Sequence, residues 1–348
     1  MNLRELGEFG LIAHCASRLK QREGVVTGIG DDAAVLSSLH TPVVTCDALV
    51  EEVHFRRDWS TPFQLGRKAI SVNVSDLAAK GAQPVAAFVS LAVSETLLED
   101  DSAVAWLEAL YDGMESAAAQ YGCTVAGGDT VRSAREVMLS VTLIGDAGQS
   151  RPPLREAACE EDVVLVTGTL GDSAAGLFLL QHPEVEVPGD VREFLIQRHL
   201  DPQARLEAGL AARRQAEMGY GPNASLDLSD GLAGDAGHIA RRSGVQIEID
   251  TKALPISPAC HTAAHAAREQ GFEVSALQWA LYGGEDYELL WCVLPGSVAS
   301  ISQGVSAATS VPVTRIGRCV ALRGDSPPVV LQDEEERAGA AKSAWAHF

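Results

Sequence analysis

Apolar residues recur along the first half of the chain at spacings that switch between helical and extended periods. The pattern predicts a helix over Leu3–Leu19, a glycine-rich turn at Gly28–Gly30, a strand over Pro42–Cys46 and a helix over Pro62–Lys80. The run Ala86–Val93 is apolar throughout, which predicts a strand buried on both faces. A helix is expected from Glu99 to Tyr121, opening on acids as the helix dipole favours. Strands over Thr124–Ala126 and Glu136–Gly145 close this half.

The segment GQSRPP, Gly148 to Pro153, stops regular structure because two prolines follow Gly and Ser. It is the expected boundary between two domains, residues 1–148 and 149–348. Beyond it, strands are expected over Asp162–Thr167, Asn223–Leu228, Val245–Ile249, Tyr287–Val293 and Val311–Gly317. Helices are expected over Val191–Ala216, interrupted near Asp201–Pro202, and over Gly231–Ser243. Strands and helices alternate in both halves, so the fold class is α/β or α+β with two domains.

Composition narrows the function. With 46% hydrophobic and 21% charged residues, the 348-residue chain can bury a real core. No stretch reaches the roughly 20 apolar residues of a membrane span. Met1–His14 carries Glu5 and Glu8 and lacks a basic region followed by an apolar run, so neither a secretory signal nor a transit peptide is expected. The 47 acids against 27 bases give a net charge of −20, which argues against a nucleic-acid or membrane partner. Seven scattered cysteines without a CxxC pair exclude a disulfide framework and a structural zinc site, and predict reduced thiols in a cytoplasmic protein. His261 and His265 stand four apart, but without the Glu of HExxH they do not make a metal motif.

The charge has a grammar. GIGDDAA (Gly28 to Ala34), AGGDT (Ala126 to Thr130), LDLSDGL (Leu226 to Leu232) and YGGEDYELL (Tyr282 to Leu290) each lead a strand or glycine turn into acids. TCDALVEEVHF (Thr45 to Phe55) and NVSDLAAKGAQP (Asn73 to Pro84) add two more. Singly, each reads as turn or cap chemistry. Together they predict acids converging on one crevice at strand ends. Carboxylates so close repel unless cations lie between them, and oxygen-only ligands suit Mg²⁺. Such clusters serve nucleotide phosphates. There is no GxxxxGK[ST] and no protein-kinase signature set. TGTLGDSAAG (Thr167 to Gly176) could cradle a phosphate at a helix N-terminus, or its glycines could serve close packing.

Read in order, GEFGLI (Gly7 to Ile12), GIGDDAA, NVSDLAAKGA, GGDT, VTGTLGDSAAGL, LDLSDGL, GGEDYEL and the tail AWAHF resemble the thiamine-monophosphate kinase family of the aminoimidazole-ribonucleotide-synthetase-like superfamily. The resemblance implies a two-domain fold: an N-terminal ATP- and magnesium-binding domain whose sheet forms a barrel across a homodimer, and a C-terminal α/β domain. It implies several Mg²⁺ ions held by Asp32, Thr45, Asp47, Asp76, Asp129, Asp227 and Asp230, with Asp31 orienting its neighbour. ATP would meet Gly128, Asp129, Arg155 and Ser229; the acceptor, thiamine monophosphate, would meet His54, Glu285 and Trp345. Asp129 and Asp230 would matter most for activity. Arg155 follows the boundary segment, where a guanidinium can grip phosphate bidentately, and Trp345 could stack on a flat cationic ring. Cys46 stands where the family often has Thr or Ser. The implied reaction is direct in-line phosphoryl transfer without a general base. The alternative is another ATP-dependent superfamily enzyme with a different small-molecule substrate.

Overall fold

The computed structural model describes residues 10, 12–324 and 326–332. The chain forms two compact units, residues 1–77 with 82–149, and residues 78–81 with 150–348. The motif GEFGLI lies mostly, and the tail AWAHF wholly, outside the described residues.

In the first unit, β3 (Pro42–Val50), β6 (Met138–Asp146), β4 (Gln83–Ser94) and β5 (Thr124–Ser133) form a sheet in the order β3-β6-β4-β5. Only the β4–β5 pair is parallel. A small antiparallel pair, β1 (Val25–Thr27) and β2 (Val35–Leu36), brackets GIGDDAA. Strand β6 alternates strictly: Leu139, Val141 and Leu143 are buried, while Met138 is exposed. Register places Thr45 opposite Leu143 and Asp47 opposite Val141, so both project from the face that is buried. Val44 and Cys46 lie on the other face and are exposed.

The helix Pro62–Ala79 begins with a reciprocal cap. Gln64 N–H donates to Thr61 Oγ1 at 3.2 Å, and Thr61 N–H donates to Gln64 Oε1 at 3.0 Å, with Pro62 at the first position. The helix Ala103–Tyr121 ends at Gly122, whose φ of 75° supplies the left-handed cap. These two helices meet backbone to backbone. A Cβ on Gly113 would lie 2.0 Å from Phe63 O, and one on Gly66 would lie 2.0 Å from Leu110 O.

The second unit holds a sheet ordered β12-β9-β11-β7-β10-β8, all antiparallel except β12–β9. Its strands are β7 (Val163–Thr167), β8 (Ala224–Asp227), β9 (Val245–Ile249), β10 (Leu289–Val293), β11 (Val313–Ala321) and β12 (Val329–Leu331). Every residue of β7 and β10 is buried, so the centre of the sheet is covered on both faces. Val164, Val166, Leu226, Ile247, Leu290 and Ile316 join residues of the helices Leu232–Ser243 and Ala276–Tyr282 in one core. A second core joins the helices Asp172–Gln181, Gly189–Leu200 and Pro258–Glu269. The fold is thus mixed α/β with mostly antiparallel sheets.

Several elements differ from the sequence expectation for local reasons. Among the described residues the N-terminal helix ends at Ala16, and Arg18 and Leu19 N–H donate to Cys15 and Ala16 O in tighter turns. The acids before Ala103 do not open the helix. They form a turn in which Asp100 accepts from Ser102 N–H and Oγ, after a short helix Glu95–Leu98. Strand β3 runs on to Val50 because β6 pairs along its whole length. Strand β5 runs on through Gly127 and Gly128 because β4 lies alongside. No helix among the described residues is long and apolar enough to cross a membrane.

Glycine to alanine inside a helix ordinarily stabilises by about 1 kcal/mol. Here the helix contact leaves no room for a methyl group, so Gly113→Ala is expected to lose about 1–3 kcal/mol instead. Urea unfolding checks the sign, and a stabilised variant would show that the two helices do not touch at this point.

Candidate active site

In the first unit the acids occupy two places. GIGDDAA and the GGDT segment line a cavity of about 410 Å³, with Asp31, Asp32, Gly128 and Asp129 on its wall and Ile12, Phe88, Val89 and Tyr111 beside them. Gly128 is required there: its φ is 150°, and a Cβ would stand 1.9 Å from Val89 O. Both aspartates at these turns fold back locally, Asp31 accepting from Asp32 N–H at 2.7 Å and Asp129 from Thr130 N–H at 2.9 Å. Burial pushes the Tyr111 hydroxyl up to about 12, so it stays a neutral hydrogen-bonding group.

The second place is the helix-facing side of β3. Thr45 Oγ1 donates to the Asp76 carboxylate, and Asp47 N–H donates to Asn73 Oδ1 at 3.1 Å. Asn73 and Asp76 are three apart on the helix Pro62–Ala79 and so share a face. Beyond β3, His54 Nδ1 accepts from Val50 N–H at 3.1 Å, which leaves the ring proton of the neutral form on Nε2.

In the second unit, LDLSDGL and GGEDYEL run side by side beyond the ends of β8 and β10. Leu228 N–H donates to Glu288 O at 2.8 Å, Tyr287 N–H to Leu228 O at 2.9 Å and Glu285 N–H to Ser229 O at 2.8 Å. Glycine permits the approach, since a Cβ on Gly284 would lie 2.4 Å from Ser229 O. Asp227 ends β8 and is buried, whereas Ser229 and Asp230 are half-buried. Asp235, one turn into the following helix, accepts from both Ser229 N–H and Asp230 N–H at 3.0 Å. Asp230, Asp235 and His238 bring three ligand atoms within 4.8 Å of one another. Burial pushes the Asp235 carboxyl up to about 7, with the Asp230 charge adding to the rise and the Arg155 charge opposing it. The Arg155 charge is thus felt at this group, and it also helps burial and Arg241 to lower the His238 value.

Asp235 and His238 are residues that motif reading missed. The signal was present: they sit three apart on the helix that follows LDLSDGL, the spacing that puts side chains on one face. Among the described residues, Asp32, Asp47, Asp76 and Asp129 form no comparable group of three. Trp345 lies outside the described residues.

The remaining acids of GGEDYEL are sorted by burial. Glu288 has no exposed surface and accepts from Arg205 Nε at 2.7 Å, Arg205 Nη2 at 2.5 Å, Arg198 Nη2 at 3.0 Å and Thr167 Oγ1 at 2.7 Å. Asp286 accepts from Gly171 N–H at 2.7 Å and Ser173 N–H at 3.3 Å. The N-terminus of the helix Asp172–Gln181 thus already faces a carboxyl group of the protein itself. Its glycines serve packing: a Cβ on Gly168 would lie 2.1 Å from the Glu288 carboxylate and one on Gly176 2.1 Å from Leu195 O. Glu285 alone of the three remains partly exposed, at 25%.

Residues 30–147 match the family model described as AIR synthase related protein, N-terminal domain. That match places the first unit in the class of AIR-synthase-related N-terminal domains. The chain is 35% identical to the thiamine-monophosphate kinase of Bacillus subtilis over 99% of its own length and 100% of the relative's. It is 40% identical to that of Aquifex aeolicus, covering 84% of this chain and 87% of the relative. The solved thiamine-monophosphate kinase of Stenotrophomonas maltophilia superposes with a TM-score of 0.77 at 35% identity, over 94% of this chain and 96% of that one. A solved structure of AaThiL complexed with AMPPCP and TMP superposes with a TM-score of 0.72 at 36% identity, over 100% and 99%. The chain belongs to the thiamine-monophosphate kinase family.

Burial pushes the Asp286 carboxyl up to about 7; the Gly171 amide and the Arg198 charge oppose the rise, and Asp172 adds to it. A carboxyl raised in the folded state contributes stability below its unfolded value, and loses it as pH climbs through the folded value. Asp286→Asn has no such titration. The stability advantage of the wild type over this variant should therefore shrink by about 1 kcal/mol or more between about pH 4 and about pH 8. Denaturant unfolding across that range measures it; a constant difference would mean that Asp286 is ionised throughout.

Proposed function

We propose that this chain transfers the γ-phosphoryl group of ATP to thiamine monophosphate, giving thiamine diphosphate and ADP. The observation that carries the reading is the Asp230–Asp235–His238 group in the electrostatic reach of Arg155: side chains able to hold a cation and a guanidinium able to hold a phosphate, in a member of this kinase family.

The donor set fits magnesium, because aspartate and hydroxyl oxygens dominate it and burial keeps the thiol lining the cavity, Cys15, protonated. In the first unit Asp32, Thr45, Asp47, Asp76 and Asp129 would hold the ions, and in the second Asp227 and Asp230. When bound, magnesium neutralises the phosphate oxygens between which the phosphoryl group passes. The protein's own residues position the reactants. Gly128 would let the backbone approach a phosphate closely, with Asp129 next to it, and Ser229 and Arg155 would contact the nucleotide. Arg155 offers a planar fork that matches phosphate oxygens.

The nucleophile is a phosphate oxygen of the acceptor. A phosphate monoester has a second pKa of about 6 and is already deprotonated at neutral pH. No general base is needed, and catalysis consists of charge neutralisation and in-line placement. His54, Glu285 and Trp345 take the acceptor side. Two copies of the chain share the first unit's sheet in a homodimer, a reading that follows the family pattern alone, and the protein works in the cytoplasm, a reading that follows its scattered, unpaired cysteines.

The test is a product assay. Purified protein with ATP, Mg²⁺ and thiamine monophosphate should form thiamine diphosphate, while free thiamine should not react. Asp230→Asn and Asp129→Asn should each lower kcat by about 10²-fold or more, and chelator should abolish turnover. ATP consumption without thiamine diphosphate would overturn the substrate and leave a phosphotransferase for another acceptor.

A further inference from the structure

His199 is buried, with its side chain 5% exposed, in the last turn of the helix Gly189–Leu200. Its Nδ1 lies 3.2 Å from Glu285 Oε2 and 3.1 Å from Ser173 Oγ. The hydrogen bond of Nδ1 is with Ser173 Oγ, and the Glu285 carboxylate makes a charged contact with the same nitrogen; a carboxylate only accepts, so that contact is attractive when the proton sits on Nδ1 and Ser173 Oγ accepts it. Glu285 has a backbone φ of 65°, a conformation a non-glycine residue adopts only when its surroundings impose it. The imposition comes from two sides: Glu285 N–H donates to Ser229 O at 2.8 Å, and the side chain meets His199. Behind them the framework is rigid, because Ser173 N–H and Gly171 N–H hold the buried Asp286 carboxylate.

We propose that His199 is a positioning residue for acceptor recognition: through Nδ1 it fixes the Glu285 carboxylate in the orientation that receives thiamine monophosphate. The inference rests on the reading that Glu285 meets the acceptor. A carboxylate repels the phosphate end of that molecule and attracts its cationic ring, so the orientation of Glu285 governs ring binding and not ATP binding. The neighbouring Arg198 turns away to Glu288, and the other nearby acids, Asp172 of the helix Asp172–Gln181 and Asp286, bond to Ser257, Thr169 and backbone amides. Glu285 is the acid of the segment that His199 orients.

The experiment compares two amides at position 199. Asparagine places an N–H near the position of Nδ1, whereas glutamine places it near Nε2. His199→Asn should keep the KM for thiamine monophosphate within about 3-fold of wild type, and His199→Gln should raise it about 10-fold or more, the loss of one close contact to a charged group. KM for ATP should stay within about 2-fold in both, and thermal melts establish that both fold. Glu285→Gln is measured alongside, with calorimetric binding of thiamine monophosphate as the readout independent of turnover. If Glu285→Gln leaves acceptor binding unchanged, the reading of Glu285 fails and the inference with it. If Glu285→Gln weakens acceptor binding while His199→Gln does not, Glu285 stands and the positioning role of His199 is overturned. Equal loss for ATP and acceptor in His199→Gln, or equal loss in both amide variants, also overturns it. Should His199→Gln not fold, Ser173→Ala with His199→Asn decides: the proposal expects acceptor KM to stay near wild type in both.

Discussion

Anionic side chains in the interior of the second unit must each be compensated, and that requirement organises the surrounding loops. Glu288 is fully buried between strands and is matched by two guanidinium groups and a hydroxyl. Removing one partner from such a set leaves an uncompensated buried charge, which costs several kcal/mol, so the members hold one another in place. Arg205 and Arg198 flank the break between the helices Gly189–Leu200 and Leu206–Glu217, and their common grip on Glu288 fixes that break against β10. Thr167 ties the end of β7 to the same carboxylate and also accepts from Leu289 N–H at 2.8 Å.

From this framework the roles of similar residues separate. Asp286 and Glu288 are two apart and both buried, the first satisfied by a helix N-terminus and the second by arginine. Glu285, one residue earlier, turns outward on a left-handed backbone. Asp235 performs for LDLSDGL what Asp286 performs for the glycine loop, since its carboxylate collects amides that would otherwise be unsatisfied. A chain with a net charge of −20 thus spends its acids in three ways: on solvated surface, on buried structural anchors, and on the candidate cation sites.

The first unit solves a different problem with the same means. Its sheet has one face packed by helices, and Thr45 and Asp47 are placed on that face near its edge strand. The Thr45–Asp76 contact therefore depends on strand register and on the phase of the helix Pro62–Ala79, which the Gly66 and Gly113 backbone contacts set. A slip of one residue in β3 would exchange Thr45 and Asp47 for Val44 and Cys46.

Much of this was readable in the sequence because it is local. The apolar runs of β4 and β7 and the ordered acid motifs depend on neighbours within a few residues, so the string of residues suffices. The family, too, is a property of the string. What the string could not reveal is which of two adjacent acids is buried. Asp286 and Glu285 are chemically alike, and their fates differ because Gly171 and His199 arrive from segments roughly a hundred residues away in the chain. The glycine loop at Thr167–Gly176 reads equally well as a phosphate cradle until the Asp286 carboxylate is found at its amides. Partners distant in sequence decide solvation and charge compensation, and only the folded chain brings them together.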